Sequence, residues 1–201
     1  MIGFCGVGQL GCVSPSPPPM LSAEPFVRPP VAEGEKEIGR VGASAGVVVA
    51  PPLVSSVGEG RVVFRLGERY DLVVGGRTDV GTVEGNLRLL RGPLEIGWSH
   101  GFGGIGNFNI GNIRFNSGHV HLTTGLTFQL ETGSEGRIFS AFRGAYAWGF
   151  GRFGDTRYLM ISLGYHIPLV ATLSISPELH LAPDFYGTMG AAAGVTMSAG
   201  F

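Results

Sequence analysis

Four residues of this sequence have types and spacing that could do chemistry: His119, His121, Glu178 and His180. Residues two apart in a strand project from one face, so His119 and His121 form one pair and Glu178 and His180 another. Brought together, imidazoles and a carboxylate could ligate a metal; held apart, they fill a polar interior or a rim hydrogen-bond network. Ser174 and Ser176, on the same face as Glu178 and His180, add the nucleophile that a hydrolase acting on lipid would need. Successive side chains of one strand face are awkwardly separated for a triad, however. Two glycine-rich strings also resemble catalytic or cofactor motifs. Gly42-Ala43-Ser44-Ala45-Gly46 matches a nucleophile elbow but runs into Val47-Val48-Val49 and two prolines instead of a helix. Gly101-Phe102-Gly103-Gly104-Ile105-Gly106 matches a dinucleotide fingerprint with no helix after it. With 35 glycines, such strings arise by accident. No catalytic, cofactor-binding or metal assignment follows, and a non-enzymatic role is expected.

The elements that would carry these residues are strands. From Ile38 onward apolar and polar residues alternate with period two. Val120, Leu122, Thr124, Leu126, Phe128 and Leu130 share one face of the segment 118–131, and His119, His121, Thr123, Thr127, Gln129 and Glu131 share the other. Thr82, Glu84, Asn86 and Arg88 alternate with apolar residues in the same way, as do Ser174, Ser176, Glu178 and His180. The alternation places strands near 38–50, 60–67, 69–77, 79–91, 93–103, 118–131, 136–150, 155–167, 171–182 and 189–201. Ten is an even number, as single-chain bacterial barrels require; if the two segments around Gly67 and Glu68 are not full spans, eight remain. Pro177, within a strand, is expected at a bulge or irregular rim position.

Composition says where such a barrel sits. Charged residues make up 14% of the chain, against roughly 25% in an average soluble domain. No apolar run approaches the ~20 residues of a spanning helix. Strands closed into a barrel are the other way to satisfy a backbone in lipid. A soluble barrel would instead need an apolar interior and a polar exterior. The 14 basic and 15 acidic residues nearly balance, and no basic stripe interleaved with aromatics points to nucleic acid.

The stretch from Ile38 to Phe201 resembles small outer-membrane barrels of the opacity and adhesion type. Phe201, preceded at two-residue intervals by Ala199, Met197 and Val195, resembles the closing signal that the outer-membrane assembly machinery reads. The resemblance implies an antiparallel up-and-down transmembrane barrel in contact with outer-membrane lipid. Its tight turns at 67–68, 91–92, 132–135 and 168–170 would face the periplasm, and its segments 51–59, 102–117 and 183–188 would lie outside, with an extracellular ligand met through 102–117. Trp98, Tyr146, Trp148, Phe150 and Tyr158 are expected in interfacial girdles. Inward charges such as Glu84, Arg88, Glu95, Arg143 and Glu178 are expected to pair, because a buried charge is costly alone. The expected function is structural or surface-interacting; a narrow pore for small solutes, or a lipid-modifying hydrolase, are the alternatives.

Residues 1–37 stand apart as a leader and a proline-rich periplasmic tether. Cys5 and Cys12 are the only cysteines, so no disulfide framework holds the body together. Leu10-Gly11-Cys12 before a Ser-Pro run resembles a bacterial lipoprotein site, which implies lipidation of Cys12. Only eleven residues precede it, none of them basic, and Gln9 replaces the usual aliphatic residue. A nonspecific leader, or a start codon farther upstream, accounts for the same residues. Seven prolines between Val13 and Glu37 imply an extended linker.

Overall fold

The computed structural model describes residues 14–15, 22–27, 38–50, 53–77, 80–106, 118–132, 136–150, 153–170, 172–183 and 189–201. Among the described residues there are twelve strands: β1 (Ser14–Pro15), β2 (Gly39–Ala50), β3 (Leu53–Leu66), β4 (Tyr70–Arg77), β5 (Val80–Leu90), β6 (Leu94–Gly106), β7 (Gly118–Glu131), β8 (Arg137–Phe150), β9 (Phe153–Gly154), β10 (Thr156–Pro168), β11 (Leu173–Pro183) and β12 (Met189–Gly200). Ten of them, β2 to β8 and β10 to β12, pair with their chain neighbours in antiparallel fashion and close into a barrel. The weak alternation around Gly67 is therefore a true pair of barrel strands, joined at Leu66↔Tyr70 by a turn in which Gly67 takes φ 80°.

Closure is completed by β12 against β2, from Ala191↔Val49 to Gly200↔Arg40. Phe201 extends the seam, its N–H donating to the Gly39 carbonyl at 3.0 Å while its own carbonyl accepts from Ile38 at 3.0 Å. Gly39 is required there: a Cβ would stand 2.6 Å from the Val63 carbonyl and from the Phe201 ring.

Two boundaries and one proline differ from the sequence reading. Leu53–Glu59, expected outside the barrel, belongs to β3 and pairs with β2 down to Ala50↔Leu53. Its Ser-Ser-Val-Gly composition reads as loop, but continuation of the ladder satisfies its backbone. β6 runs on to Gly106, because Phe102–Gly106 pairs with β7. The remainder of the proposed ligand-contacting segment, 107–117, lies outside the described residues, as do 184–188. Pro177 sits at no bulge. Its register with Val195 is continuous, and the β10 side simply lacks pairing at this point, where proline has no N–H to give. The register shift falls elsewhere, between Arg88 and Leu90.

The wall is inside out relative to a soluble barrel. Leu122, Leu126, Phe142, Leu163, Leu179 and Met197 are each 40% exposed or more, whereas Arg143, Glu84, His119 and His121 are at most 2% exposed. Val195, Met197, Ala199 and Phe201 form part of the apolar exterior. Trp98 and Trp148 face outward, Trp98 beside Leu126 in mid-strand, but Tyr158 turns inward and packs with Ala145, Met160 and Ala182. Its even-numbered position in β10 shares the face of Met160 and Ser162, so the strand period overrides its aromatic type.

Residues 22–27 depart most from the expected linker. Glu24–Phe26 forms a 3-10 turn, and all six residues from Ser22 to Val27 are buried within the barrel. Pro25 suits the first helical turn, where its missing N–H is no loss. β1 pairs in parallel with β9, which lies between β8 and β10 at the mouth opposite Phe201. Ser14–Pro15 thus lies at one mouth and Gly39 at the other, with Ser22–Val27 inside. The expected tether on the Phe201 side does not describe these residues.

Candidate functional site

The lumen carries most of the charged side chains that the described barrel strands bear, and period two is what puts them there. At the Phe201 end Asp71 accepts from Arg88 at 2.7 Å and pairs with Arg65 at 3.2 Å. Glu95 joins Arg88 to Arg137, the latter at 3.0 Å, and Arg137 continues to Glu131. Higher in the barrel Arg143 pairs with Glu84 at 3.2 Å. Of the inward charges named from sequence, Arg88 thus pairs with Glu95 between the neighbouring strands β5 and β6, and Glu84 with Arg143 from β5 and β8, whereas Glu178 is held by hydroxyl and backbone donors.

Glu24 enters this network from the N-terminal segment. Its Oε1 accepts from Ser198 Oγ at 2.7 Å and from Arg40 at 3.3 Å, and its Oε2 accepts from Arg61 at 3.0 Å. Burial pushes the carboxyl up, but Arg61, Arg40, the Ser198 hydroxyl and His166 together outweigh it and hold Glu24 below the ordinary carboxylate range. On the other side of the turn, Glu178 accepts from Ser22 Oγ at 2.7 and 3.0 Å, from Ala23 N–H at 3.2 Å and from Thr196 at 3.0 Å.

The rest of the turn is held by its backbone and by a small apolar contact. Arg65 donates to the carbonyls of Pro25 at 3.4 Å and Val27 at 2.9 Å, and Gln129 donates to that of Phe26 at 2.6 Å. Arg143 donates to the Ser22 carbonyl at 3.4 Å, with its guanidinium 5.9 Å from the centre of the Phe26 ring. Phe26 packs on Val63 and Val73, while Ala23 and Val27 pack on Phe139 and Ala141. The segment is a fitted plug with its polar groups satisfied and its aromatic residue seated.

The residues singled out from sequence do not converge. His119 and His121 lie side by side on β7, ring centres 5.6 Å apart. Glu178 and His180 lie on β11, with His180 Nε2 3.7 Å from the Glu178 carboxylate. β8 and β10 separate the two pairs around the wall. Among the described residues no three His, Cys, Asp or Glu side chains meet in a way that could hold a metal. The serines are engaged otherwise: Ser174 bonds Ser198 at 2.8 Å, and Ser176 bonds His166 Nδ1 at 3.1 Å. Glu24 approaches the same Nδ1 at 3.8 Å, so acid and hydroxyl meet one nitrogen of the imidazole instead of its two, and His166 and Ser176 are both buried. Cys12 lies outside the described residues. A cavity of about 40 Å³ opens beside Ser22, Ser44, Glu59, Glu178, His180 and Thr196, roofed by the small residues Ala192, Ala193 and Gly194.

Ser22, Glu24 and Phe26 were not found by sequence reasoning. The signal was present in one form: Phe26 and Val27 beside an acid, in a segment otherwise too proline-rich to pack.

No family model and no curated protein matches the chain. Solved structures that resemble it include the Neisserial surface protein A, with TM-score 0.40 and 6% identity over 81% of this chain and 96% of that one. An outer membrane channel from Pseudomonas putida F1 gives TM-score 0.43 and 13% identity over 87% of this chain and 100% of that one. Ail, the attachment invasion locus protein of Yersinia pestis, gives 0.37 and 7% over 81% and 96%. The likeness is one of barrel outline.

Proposed function

We propose that the chain is an integral outer-membrane barrel with a non-enzymatic role, structural or surface-interacting, and a lumen closed by its own N-terminal segment. The single observation that carries this reading is polarity. A wall with leucines, phenylalanines and tryptophans outside and paired charges inside is stable where lipid surrounds it, and in water would expose an apolar surface far beyond what soluble monomers carry. Filling of the lumen by Ser22–Val27 favours the structural reading over the pore. In the orientation proposed, the Phe201 end faces the periplasm, the assembly machinery reads the stripe ending in Phe201, and the mouth at Gly118, Gly154 and Ser14–Pro15 faces outward. That mouth is the surface offered to an external partner.

The test is refolding of the full chain into detergent micelles, followed by electrophoresis with and without boiling and by circular dichroism. A mobility shift on boiling with a strand-rich spectrum is expected, and a monomer that folds in plain buffer would sink the proposal. Planar-bilayer recording on the same sample should give no stable open level; a steady conductance would replace the structural reading by the pore.

A further inference from the structure

Glu24 occupies a receptor that the barrel wall builds by itself. Arg40 and Arg61 come from neighbouring strands β2 and β3, Ser198 from β12 and Ser174 from β11, and the four side chains converge on one point in the lumen. Among the described residues the inward arginines Arg40, Arg61, Arg65, Arg88, Arg137 and Arg143 face the acids Glu59, Asp71, Glu84, Glu95 and Glu178, with Glu131 at the rim on Arg137. Of these arginines, Arg40 and Arg61 are the two that meet Glu24. Arg61, 3% exposed, still keeps Nε and Nη1 buried with no hydrogen-bond partner among the described residues, so the receptor has more donors than Glu24 uses. The cavity beside Ser22 and Thr196 reaches the same neighbourhood, since Thr196 accepts from Arg61 at 3.0 Å.

We infer that the Arg40–Arg61–Ser198 cluster is a carboxylate-binding site, filled in cis by Glu24, that accepts a small free carboxylate when Glu24 is withdrawn. Two guanidinium groups and a hydroxyl directed at the two oxygens of one carboxylate are the donor set such a ligand requires. The inference goes beyond the outer-membrane reading and does not depend on it.

Chemical rescue tests it on the full chain. Glu24→Ala removes a methylene and a carboxylate, and acetate returns a group of the same size and charge. In detergent the variant should melt roughly 5–10 °C below wild type. Acetate should restore at least half of that loss with a saturating dose dependence, while chloride at equal ionic strength should not. Wild type and the double variant Glu24→Ala with Arg61→Ala should show no response to acetate. If Glu24→Ala fails to refold, acetate in the refolding mixture should recover the heat-modifiable band and chloride should not. Absence of rescue, equal rescue by chloride, or rescue that persists without Arg61 would each overturn the assignment. A barrel that folds and melts normally but ignores acetate refutes the site alone and leaves the membrane reading intact.

Discussion

Replacing Leu126 by arginine separates a lipid-facing wall from a water-facing one by the sign of the effect. Leu126 is 40% exposed and its register partners Trp98 and Phe142 are both exposed, so the three form one apolar patch. It lies five residues above Glu131, the end of β7. At about 3.4 Å per residue, tilted ~40° from the barrel axis, that is roughly 13 Å, the middle of a ~25 Å apolar band. An arginine at the midplane of a barrel costs about 2–4 kcal/mol. At the centre of that range the folding equilibrium constant falls about a hundredfold. On a surface in water the same change stays within about 0.5 kcal/mol. Denaturant unfolding in phospholipid vesicles, followed by the fluorescence of Trp98 and Trp148, measures the difference, with Leu126→Ala as the control for lost apolar area alone. Arginine indistinguishable from wild type, or less costly than alanine, would refute the inside-out assignment and with it the orientation of every strand.

Three further outcomes follow, two from the lumen and one from the seam. Arg88→Ala removes a shared partner of Asp71 and Glu95, which keep Arg65 and Arg137, and should cost about 1.5–3 kcal/mol in the same unfolding assay; a cost below about 0.5 kcal/mol would mean that water replaces the arginine. The carboxyl of Glu24 is held below its ordinary range, so its contribution is complete above that range and is lost as pH falls through the depressed folded-state value. The stability gap between wild type and Glu24→Gln should therefore shrink on acidification, and a gap constant from neutral to strongly acid pH would show that the charge of Glu24 does not matter. Gly39→Val should weaken closure at the seam, because the new side chain meets the Val63 carbonyl and the Phe201 ring, costing about 1–3 kcal/mol. An unchanged melting temperature would indicate that Phe201 is not seated there.

Strand number, strand positions and the facing of most side chains were legible in the sequence, because a strand's period of two writes burial directly into the order of residues. His119, His121, Thr123, Thr127 and Gln129 alternate inward and Val120, Leu122, Leu126 and Leu130 outward along β7, as the pattern implied. Alternation also foretold that Glu84, Arg88, Glu95 and Arg143 would meet, though not with whom. Asp71 joins Arg65, its partner in the β3–β4 hairpin, and Arg88 on β5, while Glu84 joins Arg143 from a strand three places around the wall, a pairing fixed by barrel curvature and by nothing local. The same holds for separation: His119 and His180 have equal spacing to their neighbours but stand two strands apart around the wall, which no one-dimensional pattern contains. The plug was the least legible element. Ser22–Val27 has too few apolar residues to fold alone, and its turn exists only because Arg40, Arg61, Arg65, Gln129 and Glu178, scattered over more than a hundred residues of chain, converge on it inside a closed barrel. Sequence periodicity determined the wall; what fills the wall was decided by closure, which alone brings distant strands face to face.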